Sequence, residues 1–332
     1  MLRSLIISLS RVDWAQSAIM KSSLAWRMTR RFVAGVEPEA AIQAALALNK
    51  RDIAASLDHL GENTLQIDDA DQATSTIMDI LYQIKSSGVD ATLSVKLTQI
   101  GLGIDEQLCR ENLLKILEKA KDIGLFIRID MEESKYVDQT LALYKEMGKL
   151  NFENLGIVIQ SYLYRSEADI NALQSLHPKV RLCKGAYKED PSRAFPDKKD
   201  VDRNYDHLMQ ILFDSALLDF NPGENSNRGF PPIPAIATHD VSRINHAISY
   251  AEKINLPREA FEFQMLYGIR SDLQEDLAKK GYRVRVYIPF GIRWYPYLMR
   301  RLAERPANLW FFLSNLLRNQ PASMRAQNGI HE

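Results

Sequence analysis

Residues 91–131 read ATLSVKLTQIGLGIDEQLCRENLLKILEKAKDIGLFIRIDM. The run ATLSVKL (91–97) carries no charge until Lys96, and LFIRIDM (125–131) is apolar apart from Arg128 until Asp130. Between them DEQLCRENLLKILEKAKDIG (105–124) spaces its apolar residues three and four apart with charges on the other face, the period of an amphipathic helix. Strand, helix, strand predicts a helical crossover joining two parallel strands, and each strand turns polar at or near its end.

The same alternation extends both ways. Apolar runs recur at IAASLDHLG (53–61), LGIVIQSY (155–162), VRLCKGA (180–186), AIATHD (235–240), FEFQML (261–266) and VRVYIPF (284–290), which makes eight with the two above. Periodic stretches such as VSRINHAISYAEKIN (241–255) separate them. Eight strands each followed by a helix predict an α/β fold, the (β/α)8 TIM-type barrel. A helix is also expected after Pro38, in EAAIQAALALNKRDIAA, where proline suits a first turn. The expected organisation is an N-terminal helical extension over 1–52 and a catalytic barrel with a C-terminal helix over 53–332.

Two irregular segments interrupt the alternation. KEDPSRAFPDKKDVDRN (188–204) follows a strand and should lie at the catalytic mouth as a lid; DFNPGENSNRGFPPIP (219–234) precedes a strand and should be a surface turn on the opposite face.

Composition limits the function. The 332 residues carry 42 basic and 42 acidic side chains, so no cationic surplus exists for nucleic acid. Cys109 and Cys183 stand apart with no metal-ligand spacing, so no disulfide, no metal site and a reducing, cytoplasmic compartment are expected. No window approaches the roughly 20 apolar residues of a membrane span, and the start lacks a secretory pattern. Residues 1–31 hold Arg3, Arg11, Lys21, Arg27, Arg30 and Arg31 against Asp13 alone; a solvated basic helix is preferred to a transit peptide or membrane-surface helix.

Polar residues fall at or near the C-terminal ends of the strands: Glu62, Lys96, Asp130, Gln160, Lys184, His239, Gln264 and Tyr287. One such residue is ordinarily a hydrogen-bonded core group, but eight ring the mouth where TIM-barrel sites lie. They form no Ser-His-Asp set and no sugar-cleft carboxylate pair, which points to a bound cofactor carrying the difficult step. Lys96 and Lys184 leave open a Schiff-base aldolase. In the last helix Arg300 and Arg301 could clasp one carboxylate with Glu304 holding them, although RRxxE taken alone reads as a surface salt-bridge cluster.

The strings SVKLTQIG (94–101), RIDME (128–132), IQSYLYR (159–165), RLCKGAY (181–187), AFPDK (194–198), ATHD (237–240), FEFQMLYG (261–268), VYIPFG (286–291) and YPYLMRRLAERPAN (295–308) together resemble the proline dehydrogenase family. The resemblance runs in order over about 30–317, and the length resembles the short monofunctional bacterial class. It implies an FAD-dependent barrel that oxidises L-proline to 1-pyrroline-5-carboxylate and passes electrons to a quinone, with no metal and no nucleic acid. By the same resemblance Lys96, Arg300 and Arg301 hold the proline carboxylate, Tyr287 packs on the proline ring, Glu62 pairs with an arginine over the substrate, and Asp130 lies near substrate and flavin. Gln160, Arg181, Lys184, Gly185, Ala186, Tyr187, Thr238, His239 and Gln264 match FAD-cradling positions, and Glu304 a flavin-region position. THD replaces the THN of bifunctional members, leaving the role of Asp240 open, and the 219–234 segment is not expected of the shortest members. A catalytically dead barrel is a third reading, set last because the mouth residues are intact. The apolar stretch Leu309, Trp310, Phe311, Phe312, Leu313, Leu316 and Leu317 is read as a cover for the barrel in preference to peripheral membrane contact where a quinone collects electrons.

Overall fold

The structure, a computed structural model, describes residues 26, 29–220, 230–231 and 233–304, with 302–304 as backbone only. The chain divides into two compact units, one of residues 34–291 and one made from the segments on either side.

The stretch 91–131 folds as its pattern predicts: β2 is Ala91–Lys96, α3 is Glu106–Asp122 and β3 is Ile127–Asp130. Helix α3 starts where Asp105 accepts a hydrogen bond from the Leu108 amide at 2.8 Å, an N-cap that satisfies one of the orphan first-turn donors. Cys109, Leu113, Ile116, Leu117 and Ala120 form its buried stripe, at the predicted spacing.

The other strands are β1 (Ala54–His59), β4 (Leu155–Gln160), β5 (Val180–Cys183), β6 (Ala235–Ala237), β7 (Glu262–Leu266) and β8 (Arg283–Phe290). They close in sequence order, all parallel, with β8 paired to β1 through Ala54–His59 and Arg285–Phe290. Helices α2 (Ile67–Ser87), α4 (Val137–Lys149), α5 (Ser166–Asn171), α6 (Lys198–Asp219), α7 (Val241–Ile254) and α8 (Ser271–Lys279) complete the crossovers. Helix α1 (Pro38–Asn49), expected as part of a leading extension, packs on β1 and β8. The strands stop earlier than expected, β5 at Cys183 instead of 186 and β6 at Ala237 instead of 240, because the chain leaves the ladder where polar loop residues begin.

Side-chain alternation separates two environments. Leu57, Leu93, Val95, Ile127, Ile129, Ile157, Leu182 and Ile236 face the helices and make the apolar core. Ser56, Asp58, Ser94, Lys96, Arg128, Asp130, Arg181, Glu262, Gln264, Arg285 and Tyr287 have the opposite parity. Arg181 on β5 meets Ser56 on β1, and Tyr287 on β8 meets Asp130 on β3, contacts that only a shared lumen permits.

The 219–234 segment joins α6 to β6, away from the mouth; residues 221–229 and 232 of it lie outside the described residues. Phe230 stands edge-on to Phe126 at 5.9 Å, just before the N-terminal end of β3, which places it on the structural face as expected. The segment 188–204 is corrected in its second half: α6 begins at Lys198, so the irregular part is 188–197. That part is stitched down, with the Tyr164 amide donating to Arg193 O at 3.1 Å and the Phe195 amide to Tyr162 O at 2.8 Å. Among the described residues no helix is long and apolar enough to cross a membrane. The stretch 309–317 and most of the basic leader lie outside the described residues.

Candidate active site

Lys96 ends β2 with its ammonium inside the mouth. Nζ donates to Asp58 Oδ1 at 2.8 Å, Asp130 Oδ2 at 3.2 Å and Tyr287 Oη at 3.2 Å. Tyr287 in turn donates to Asp130 Oδ2 at 2.6 Å, and Arg181 Nη1 reaches Asp130 Oδ1 at 2.8 Å. Burial opposes the charge on Lys96, but Asp58, Tyr287 and Asp130 outweigh it and hold the ammonium well above its ordinary pKa. Burial likewise opposes ionisation of Asp130, yet Lys96 and Arg181 keep it below the usual carboxylate range. Burial, with Asp130 and Asp58, pushes the Tyr287 phenol well up, so it serves as a neutral donor.

Below this layer the lumen is ionic. Arg181 reaches Ser94 at 3.2 Å and Ser56 at 3.3 Å, and its guanidinium lies 5.3 Å from the centroid of the Tyr287 ring. Arg285 Nε pairs with Glu262 at 3.0 Å, and Gln264 donates to the same carboxylate. Gln264 and Tyr287, read from sequence as strand-end residues, therefore sit within β7 and β8. Polar groups in strand interiors are tolerated here because each charge is paired or hydrogen-bonded. Asp58, the Ser56–Ser94 pair and the Glu262–Arg285 pair escaped the sequence reading. The signal for them was parity: Asp58 lies two residues after Ser56, as Lys96 does after Ser94.

Beyond β3 and β4, Gln160 donates to the carbonyls of Met131 at 2.8 Å and Glu132 at 3.2 Å, while its Oε1 is buried without a hydrogen bond. Glu132, also unread in the sequence, accepts from the Thr98 amide at 3.0 Å and the Thr98 hydroxyl at 2.5 Å. Burial pushes it up to about 7, partly offset by those bonds, with Glu62 raising it further. Glu62 is half-buried just past β1.

On the β5–β6 side Lys184 is bound at 2.5 Å to Asp202 and at 2.7 Å to Asp240. Gly185 has φ +109, and an added Cβ would collide with the Tyr162 ring, so the turn that leads into half-buried Ala186 and Tyr187 requires glycine. Thr238 Oγ1 accepts from the Asp240 amide at 3.1 Å. His239 Nε2 accepts from the Leu266 amide at 2.9 Å, which puts the ring proton on Nδ1. Arg300, Arg301 and Glu304 lie on α9 (Trp294–Glu304) in the other unit, where the Arg301 guanidinium is 5.2 Å from the Tyr297 ring centroid.

A closed parallel barrel whose C-terminal mouth concentrates buried, mutually paired charges defines a TIM-barrel enzyme. Comparison with known proteins narrows the class. A family model described as proline dehydrogenase matches residues 41–313. Proline dehydrogenase 1 of Bacillus subtilis strain 168 is 41% identical over 289 residues, covering 87% of this chain and 90% of that protein. Proline dehydrogenase of Deinococcus radiodurans is 41% identical over 300 residues, covering 88% and 91%. A crystal structure of proline utilization A from Bdellovibrio bacteriovorus inactivated by N-propargylglycine superposes with TM-score 0.76 and 26% identity over 90% of this chain; the chain spans 34% of that longer protein. The chain belongs to the proline dehydrogenase family, and it is an enzyme of that kind.

Proposed function

We propose that this barrel binds FAD and oxidises L-proline to 1-pyrroline-5-carboxylate, passing the electrons to a quinone. The observation that carries the reading is the Lys96–Asp58–Asp130–Tyr287–Arg181 cluster at the mouth of a barrel of this family. FAD, when bound, would supply the acceptor for a hydride from the ring carbon next to nitrogen.

The residues present suit such a ligand. Gln160 Oε1 is a buried acceptor lacking a donor, which a ligand N–H satisfies, and the Gly185 turn lets backbone approach a bound group where a side chain would block it. Gln160, Arg181, Lys184, Gly185, Ala186, Tyr187, Thr238, His239 and Gln264 are assigned to hold it by their family match, as is Glu304. Arg181 and Lys96 are fixed at the mouth by Asp58 and Asp130, a preorganised set of two charges of each sign.

Lys96 provides the ion pair for the proline carboxylate, to which the family match also assigns Arg300 and Arg301. Tyr287 supplies a ring face for the substrate ring, and Glu62 is assigned to an arginine over it. Fixing the carboxylate orients the ring carbon, a positioning task worth several kcal/mol, about 7–11 in well-oriented systems. An aldolase needs a neutral lysine nucleophile, and Lys96, ringed by Asp58 and Asp130, is held charged. Peripheral membrane contact by 309–317 and the basic leader remains part of the quinone proposal.

Anaerobic titration of the purified holoprotein with L-proline tests the reading. The flavin absorbance should bleach, one equivalent of 1-pyrroline-5-carboxylate should form, and a soluble quinone should restore the colour. Protein without flavin, or a spectrum indifferent to proline, overturns it.

A further inference from the structure

An ammonium has three N–H donors and no acceptor, and those of Lys96 are all taken, by Asp58, Asp130 and Tyr287. A substrate carboxylate at Lys96, as the functional reading above requires, therefore cannot be added to this set. It has to replace a member.

The three partners are not equivalent. Asp58 makes the shortest contact, its side chain is 2% exposed, and it has no other ion-pair partner among the described residues. Losing Lys96 would strand a buried carboxylate, the costly way to break such a pair. Tyr287 is neutral, so displacing it alone would gather three carboxylates around one ammonium in a low-dielectric lumen. Asp130 is placed differently. Its Oδ1 stays paired with Arg181 at 2.8 Å and its Oδ2 keeps the Tyr287 hydroxyl at 2.6 Å, so leaving Lys96 costs it only the 3.2 Å contact.

We propose that Asp130 is an internal stand-in for the substrate carboxylate: it holds the third position on Lys96 until the ring acid arrives, then withdraws onto Arg181 and Tyr287, while Asp58 remains the fixed counter-ion. One carboxylate takes the place of another, so Lys96 keeps two carboxylates in direct contact, while the withdrawn Asp130 stays neutralised by Arg181. Asp130 is thereby an affinity-setting residue, since the ligand must compete with a tethered rival.

Calorimetric titration of the holoenzyme with tetrahydrofuran-2-carboxylate, which keeps the ring and carboxylate of proline without its amine, tests the exchange against the neutral tetrahydrofuran-2-carboxamide. Asp130→Asn should bind the carboxylate roughly tenfold more tightly, with carboxamide affinity unchanged. Asp130→Ser must change carboxylate affinity in the same direction as Asp130→Asn, and it carries the test should the asparagine variant not fold. Unchanged or weaker carboxylate binding in the Asp130 variants overturns the exchange, as does an equal gain for the carboxamide, which would signal only added space. A parent enzyme that binds neither the analogue nor proline fails the functional reading and the exchange with it; a parent that binds both beside Asp130 variants that gain nothing fails the exchange alone.

Discussion

Lys184 and Asp240 are joined at 2.7 Å across the ends of β5 and β6, and the same Asp240 carboxylate caps α7 by accepting from the Ser242 amide at 3.1 Å. Each oxygen has its own task. The THD string thus has a structural use in this chain: an aspartate here both starts a helix and fixes a lysine at the mouth. Burial works against ionisation of Asp240, but Lys184 and the cap bring it down to about 2.

The sign of the resulting pH dependence follows from that depression. Asp240 contributes stability that is present above the ordinary 3.8 and is lost as pH falls through about 2. Asp240→Asn, which still caps, should lose the acid-dependent part alone. Asp240→Ala should lose about 1 kcal/mol more, the usual worth of a cap. Urea unfolding at pH 3 and pH 7 separates the two; equal stability of both variants would show that the cap contributes nothing.

Glu132 behaves oppositely. Its folded pKa of about 7 lies above the ordinary 4.5, so the folded state favours the protonated form, and stability from this site is full below 4.5 and lost as pH rises through 7. Glu132→Gln removes the titration while keeping the shape. The parent should lose roughly 3 kcal/mol relative to Glu132→Gln between pH 4.5 and 8. Parallel stability curves would place the Glu132 carboxylate in contact with water.

Gly185→Ala forces a side chain into a left-handed backbone position and against the Tyr162 ring. It should cost more than about 1–3 kcal/mol and reduce the flavin content of the purified protein. Wild-type flavin content together with an unchanged melting temperature would show that the turn adapts.

Within the lumen, Glu262→Gln leaves Arg285 buried without its carboxylate and should destabilise by about 3–5 kcal/mol. Replacing both by methionine should cost much less than the two single changes together. Additive losses in a double-mutant cycle would mean that the two charges are not coupled.

Arg300→Met or Arg301→Met should lower kcat/KM for proline by about 30-fold to 1000-fold with flavin retained, the effect of losing one arginine–carboxylate contact of about 2–4 kcal/mol. Unchanged kinetics in both variants would remove the pair from substrate binding.

Residues 91–131 carried the fold in plain sight, because a switch between two-residue and 3.6-residue periodicity is a local property of the chain. Repeated eight times, it determined the barrel, the order of its strands and the end at which polar residues gather. The pairing of those residues was not local. Lys96 and Asp58 are 38 positions apart, and Tyr287 and Asp130 are 157 apart. Nothing in AASLDH marks Asp58 as the counter-ion of a lysine on the next strand. Only ring closure, which brings β8 beside β1 and turns alternate side chains into one narrow lumen, decided which charges meet and left Lys96 with its three donors occupied. Register and closure are properties of the whole sheet, and a buried charge is settled by whichever partner they deliver within reach.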